Sequence, residues 1–328
     1  MNRLKISVLR LAALMAFPVA ATAQTAGPLV QRNAEAFRTA LGALISQHQY
    51  ARADQIVAQR LAAGDDPADT YFQIGKVYFD HDEWQRSAGF LEKSLKLKRV
   101  NDEAHQLLGL DWRAIHRPDD AETELLEAAR ENPSNYVNAY FAGHQLLLNG
   151  KFETALPYLY RAIESSPLQS QALEALALAQ ARLGNYALAE PYYRKAIDSA
   201  QTSDDGPYSA LVNLSVLLLL EHDPARLDEG FTCALRAEKL KPDSPDAHFL
   251  AGKALFKLGR LGEATTELAR AAKLNPEDSK PHFLLAQIYE QLGQRDRALK
   301  ERKTMARIKD RPGQSGTATV KSVPIEPQ

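Results

Sequence analysis

A period of 34 residues, running from about Ala34 to Pro312, constrains this chain more than any other feature. Within one unit Ala247, Gly252, Gly259, Ala264, Ala271 and Pro276 fall at set intervals, and residues of the same kinds recur at those intervals along the chain. A repeat of this length is one supersecondary unit, too small to bury its apolar face alone, so neighbouring units must stack. The period therefore predicts a solenoid. Its core grows in one dimension, which frees a 328-residue chain from the size limit of a single compact core.

One unit in register shows why the period exists. A first helix, A, is predicted over 245–258, with a turn at Gly259-Arg260. A second, B, is predicted over 262–274 and stops at Asn275-Pro276, because proline cannot continue the helix behind it. Phe249, Gly252 and Phe256 share one face of A, and Ala264, Leu268 and Ala271 share one face of B. Gly252 lets the two helices approach closely, and its equivalents are Gly75, Gly109, Gly143, Ala177, Ser215 and Ala286. Eight units begin near residues 34, 68, 102, 136, 170, 208, 245 and 279. The sixth carries extra residues around His222-Asp223-Pro224. Its continuous apolar run, from Val216 to Leu220, is expected either to be buried on more sides or to contact a partner. The eighth has Arg302 where an apolar residue usually sits, as expected of a terminal unit that caps the stack.

This pattern resembles the tetratricopeptide repeat (TPR) family, in which small residues mark where antiparallel helices touch and a proline closes each unit. The resemblance implies an all-α, right-handed α-solenoid of about eight helix-turn-helix repeats, with the A helices lining a concave groove. On this chain the groove would present Phe72, Lys76, Phe79, Arg113, Tyr140, His144, Arg182, Phe249, Lys253, Phe256, Lys257 and Phe283. Glu174, Val212 and Val216 fall on the same wall. Aromatic rings beside cations suit an extended protein or peptide segment. The Lys-Asn-Arg pattern by which some family members hold a terminal carboxylate is missing. Arg38 and Gly42 stand where its opening Lys and Asn would be expected.

Residues 1–23 read as a cleaved export signal. Arg3, Lys5 and Arg10 flank the apolar run from Leu11 to Phe17, and Ala21-Thr22-Ala23 is a small-x-small cleavage site. Residues 24–33 then form a linker, 34–312 the solenoid and 313–328 a tail expected to be disordered. Three of the 40 Lys and Arg lie in the leader, so 37 face 41 Asp and Glu in the mature chain, which argues against nucleic acid as a partner. Cys233 is the single cysteine, so no internal disulfide can form. No further segment is apolar enough for stable membrane insertion.

No zinc-protease, phosphate-loop or nucleophile-elbow signature is present, so neither catalysis nor a cofactor is expected. His105, His248 and His282 recur at one place on helix A, while His48, His81 and His116 fall near the inter-helix turn. Repetition accounts for both sets, so packing and turn roles are expected rather than metal ligation. The chain is thus expected to be a periplasmic or secreted, non-enzymatic scaffold binding a protein or peptide, with envelope assembly or secretion as the expected setting. The alternatives are an accessory subunit that positions a hydrolase or glycan-processing enzyme, and a self-associating structural protein.

Overall fold

The computed structural model describes residues 34–164, 169–200 and 207–310. The expected leader, the linker at 24–33 and the tail at 313–328 lie outside the described residues. Within them the chain forms sixteen α-helices and no strand, paired as eight hairpins. The first four pairs are α1 (Ala34–Ser46) with α2 (Tyr50–Ala62), α3 (Pro67–Asp80) with α4 (Trp84–Leu97), α5 (Asp102–Ala114) with α6 (Pro118–Glu131), and α7 (Tyr136–Leu148) with α8 (Phe152–Ala162). The next two are α9 (Gln169–Arg182) with α10 (Tyr186–Ser199) and α11 (Tyr208–Leu218) with α12 (Pro224–Leu240). The last two are α13 (Pro245–Lys257) with α14 (Leu261–Leu274) and α15 (Ser279–Gln291) with α16 (Arg295–Lys309).

These hairpins belong to two compact units, the first ending at Leu97 and the second beginning at Lys98. In the second unit each B helix packs on its own A helix and on the next one, and successive A helices adjoin each other. The A helices therefore form a continuous row from α5 to α15.

Local chemistry sets the boundaries. Asp66, Asn101, Asn135, Ser244 and Asp278 each stand just before an A helix, and each side-chain oxygen accepts a hydrogen bond from a first-turn backbone N–H. That pairing satisfies donors the helix itself cannot. The inter-helix turn repeats as well: His48, Asp82, His116, Gly150, Gly184, Gly259 and Gly293 all have φ between 58° and 79°. At Gly150, the N–H of Lys151 reaches the carbonyl of Leu146 at 2.9 Å, the six-to-one bond of a Schellman turn. His48 and His116 thus occupy the turn position itself, and His81 precedes it.

The small A-helix residues do what the period implies. A Cβ on Gly75, Gly109, Gly143 or Gly252 would lie 2.8, 2.6, 2.8 and 2.6 Å from the Cγ of Leu91, Leu125, Leu159 and Leu268 respectively. All four leucines lie sixteen positions after their glycine on the facing B helix and are fully buried. Hairpin six solves the same problem differently. Ser215 donates to the carbonyl of Gly230 at 2.8 Å, and the close approach moves to Gly230, which packs on Leu218 and Leu219. The apolar run is enclosed there: Val212, Val216, Leu217, Leu218 and Leu219 are all buried in one cluster with residues of α9, α10, α12 and α13. In hairpin eight the sixteen-residue partner of Ala286 is Arg302, exposed and ion-paired with Glu290, so α16 presents a polar outer face.

The recurring helix-A histidines clasp the hairpins. His105 pairs with Glu124 at 2.6 Å, His248 with Glu267 at 2.8 Å and His282 with Glu301 at 2.5 Å, always nineteen residues apart. In hairpin two the same positions hold Tyr71 and Phe90, whose rings stack with centroids 6.2 Å apart. The other nitrogen of His105 and of His248 lies 3.1 Å from the carbonyl of Arg99 and of Pro242, tying the preceding loop to the hairpin.

Candidate peptide-binding face

The twelve residues expected along the groove divide between the two units. In the first, Phe72 and Phe79 are buried, and Phe79 meets Trp84 edge-on at 5.3 Å. Lys76 is half-buried with its ammonium 5.9 Å from the Phe72 ring. Both rings are buried and leave little surface for a ligand.

In the second unit the row of A helices carries Arg113 on α5, Tyr140 and His144 on α7, and Arg182 on α9. Phe249, Lys253, Phe256 and Lys257 follow on α13, and Phe283 on α15. Arg113, Tyr140 and His144 form a cluster. The Arg113 guanidinium lies 5.5 Å from the ring centre of Phe141, and Tyr140 stands 5.3 Å from Phe141 and 5.5 Å from His144. No carboxylate among the described residues forms an ion pair with Arg113, and burial lowers its pKa, opposed only by Tyr140. Burial, then the Arg113 charge, pushes His144 down to about 4, so its imidazole is neutral at physiological pH. Its Nδ1 is buried with no hydrogen-bond partner among the described residues. Burial also pushes Tyr140 up to about 12, Arg113 opposing and Glu174 reinforcing the shift.

Glu174 on α9 extends this band. Burial raises its pKa, although Ser209 on α11 donates to its Oε2 at 2.9 Å. Chemically, then, the face offers an uncompensated guanidinium, a neutral imidazole with an unfilled position and a carboxyl group against a hydroxyl, all between aromatic rings. Such groups could hold and orient a polar chain by hydrogen bonds and ring contacts.

Farther along, the expected residues part company. Phe249 and Phe256 are half-buried and pack against the α13–α15 core, whereas Phe283 is 49% exposed. Lys253 and Arg182 are half-buried. Lys257 serves the stack itself, since its Nζ donates to the carbonyl of Leu219 at 2.6 Å and approaches that of Glu221 at 3.4 Å. It satisfies carbonyls left open where α11 ends, locking hairpin seven to hairpin six. Val212 and Val216 are enclosed and leave the wall altogether.

Sequence reasoning missed Phe141 and Ser209. Phe141 neighbours Tyr140 in sequence yet packs beneath the guanidinium of another repeat. Ser209 lies one residue into α11, at a position with no counterpart signal in other units. Only the adjacency of A helices from different hairpins reveals either.

Two tetratricopeptide repeat profiles match the chain, one over residues 142–205 and one over 252–293. The chain carries tetratricopeptide repeats. Its hairpins resemble the C-terminal part of a TPR repeat-containing protein from Cytophaga hutchinsonii at 13% identity, covering 72% of this chain and 95% of that one with a TM-score of 0.56. A tetratricopeptide repeat protein from Parabacteroides merdae is 15% identical over 74% of this chain and 93% of its own, with a TM-score of 0.55. The Cut9–Hcn1 hetero-tetramer of the APC/C gives a TM-score of 0.55 at 15% identity over 79% of this chain, which spans half of that one. No curated protein sequence matches. At these identities the likeness shows the fold. TPR proteins are in general scaffolds for protein interaction without catalytic activity. Among the described residues of this TPR protein, no helix is long and apolar enough to cross a membrane.

Proposed function

We propose that this TPR protein is an exported, non-enzymatic scaffold that holds an extended protein segment along the A-helix row of its second unit, in the cell envelope. The observation that carries this reading is the band from Arg113 through Tyr140 and His144 to Glu174. Four ionisable groups sit half-buried there, and Arg113 has no carboxylate counter-charge among the described residues. A solitary core would exclude such groups, because burying them uncompensated is costly. A partner chain supplies what they lack. The wall is preorganised by helix packing, so binding loses little ordering entropy on the scaffold side. The signal-like residues 1–23 support export. Self-association through the apolar run of hairpin six has lost its support, since that run is internal.

The test places a photo-reactive amino acid at Arg113 or Lys253 on the A-helix row, and at Leu188 on a B helix as the control. Expression of the full chain in a bacterial envelope, followed by irradiation, should give discrete protein adducts from the row and none from Leu188. Adducts only from Leu188, or none from either row position, would overturn the assignment of the face. N-terminal sequencing of exported protein should begin at Gln24; a start at Met1 would remove the cleaved leader.

A further inference from the structure

Outside that face, hairpin three gathers an unusual density of carboxylates around one histidine. Glu124, Glu127 and Glu131 all project from α6 toward His105 of α5, and a ligand atom from each of His105, Glu127 and Glu131 lies within 4.8 Å of the others. The Glu131 side chain is only 6% exposed, yet its Oε2 has no hydrogen-bond partner among the described residues. A buried carboxylate oxygen with nothing to accept from is costly, so its position calls for a cation.

The histidine is oriented as a ligand. Its Nδ1 pairs with Glu124 Oε2 at 2.6 Å, an arrangement in which Glu124 accepts the Nδ1 proton and leaves Nε2 on the side of Glu131 and the Arg99 carbonyl. Nε2 stands 3.6 Å from Glu131 Oε1. That is too long for a hydrogen bond. It is close to the ~3.4 Å that separates two ligands on one tetrahedral zinc with bonds of about 2.1 Å. The carbonyl of Arg99, 3.1 Å from the same nitrogen, adds an oxygen on that side. We propose that His105 Nε2, Glu127 and Glu131 bind a divalent metal ion of the zinc type, with Glu124 as a positioning residue.

One nitrogen and two or more oxygens suit Zn²⁺ or Mn²⁺ over soft, thiolate-seeking ions. The competitor for the site is a proton on Nε2, donated to Arg99. The competing partner of Glu127 is Arg130, whose side chain is 69% exposed and free to swing into solvent. In the seventh hairpin, Glu238, His248 and Glu267 make a similar group. Glu238 is 31% exposed there, so the tighter site is assigned to hairpin three.

The experiment is calorimetric titration of ZnCl2, with MnCl2 and MgCl2 in parallel, into chelator-treated full-length protein at neutral pH. Zinc is expected to bind and to raise the melting temperature, since an ion held only by the folded state stabilises it. Glu131→Gln and Glu127→Gln should each remove this binding event while helicity is unchanged. Glu124→Gln should weaken it about 10- to 100-fold, the effect of losing a histidine's carboxylate partner. Mildly acidic buffer should weaken it too, because the ligands must shed their protons. Absence of zinc uptake at sub-millimolar concentration would overturn the proposal. So would uptake that survives both glutamine variants, which would place the ion elsewhere. If Glu131→Gln does not fold, Glu127→Gln, on a half-buried side chain, decides the matter alone.

Discussion

Two glycines in hairpin two allow a direct measurement of what the repeat's close helix approach is worth. A Cβ on Gly75, in α3, would sit 2.8 Å from Leu91 Cγ, 2.9 Å from its Cδ2 and 3.3 Å from its backbone nitrogen. Leu91 is fully buried, so it cannot swing away into solvent. A Cβ on Gly89, in α4, would meet no heavy atom within 4 Å. Both glycines lie in helix interiors, where alanine is favoured by about 1 kcal/mol. That gain is common to both substitutions and cancels when they are compared. What remains is overpacking at Gly75, about 1–3 kcal/mol. Gly89→Ala should therefore raise stability by about 1 kcal/mol, and Gly75→Ala should fall below it by about 1–3 kcal/mol. Urea unfolding followed by circular dichroism, with an unchanged slope, reads both shifts in the same hairpin. Removing the obstacle gives a second check. Leu91→Ala alone costs about 2–5 kcal/mol, but combined with Gly75→Ala the loss should be smaller than the sum. Equal stability of the two single alanine variants, or strict additivity in the double variant, would refute the packing argument.

Two further outcomes follow from named side chains. Glu190 is held at about 2, first by its hydrogen bond from Arg226 and then by Arg194, so the folded state favours its ionised form. A lowered folded-state pKa gives stability that is present above the ordinary value of 4.5 and is lost as pH falls from there towards 2. Glu190→Gln should flatten the acid limb of the stability–pH curve, measured by thermal melts; an unchanged limb would count against the network joining α10 to α12. Burial pushes the Cys233 thiol up to about 11, so the native protein should resist iodoacetamide near neutral pH and react once unfolded in urea. Rapid native alkylation would contradict its enclosure.

Most of the architecture is readable from the residues alone. Capping residues such as Asp66 and Ser244, the left-handed turn at Gly150 and the sixteen-residue spacing of Gly252 and Leu268 all act within one repeat. Helix capping, turn geometry and the contact of paired helices are local, so periodic spacing reports them faithfully. The face is less legible. Lys257 has the spacing of a groove residue, but its ammonium is committed to carbonyls of the preceding hairpin. Phe72 and Phe79 likewise share a face with Lys76, yet packing covers them. Helical spacing says which side of a helix a residue occupies; it does not say whether a neighbouring repeat has already reached it.

The 34-residue period, with its small residues and caps, by itself determined the hairpin unit, the eight-unit count and the stacking that follows from half-exposed apolar faces. Tertiary structure alone decided what lies between repeats. It enclosed Val212 and Val216 and set Arg113 over Phe141. The physical reason is reach. A repeat's own helices meet at distances set by backbone period, whereas contacts across repeats depend on how far long side chains extend and which neighbour they meet first.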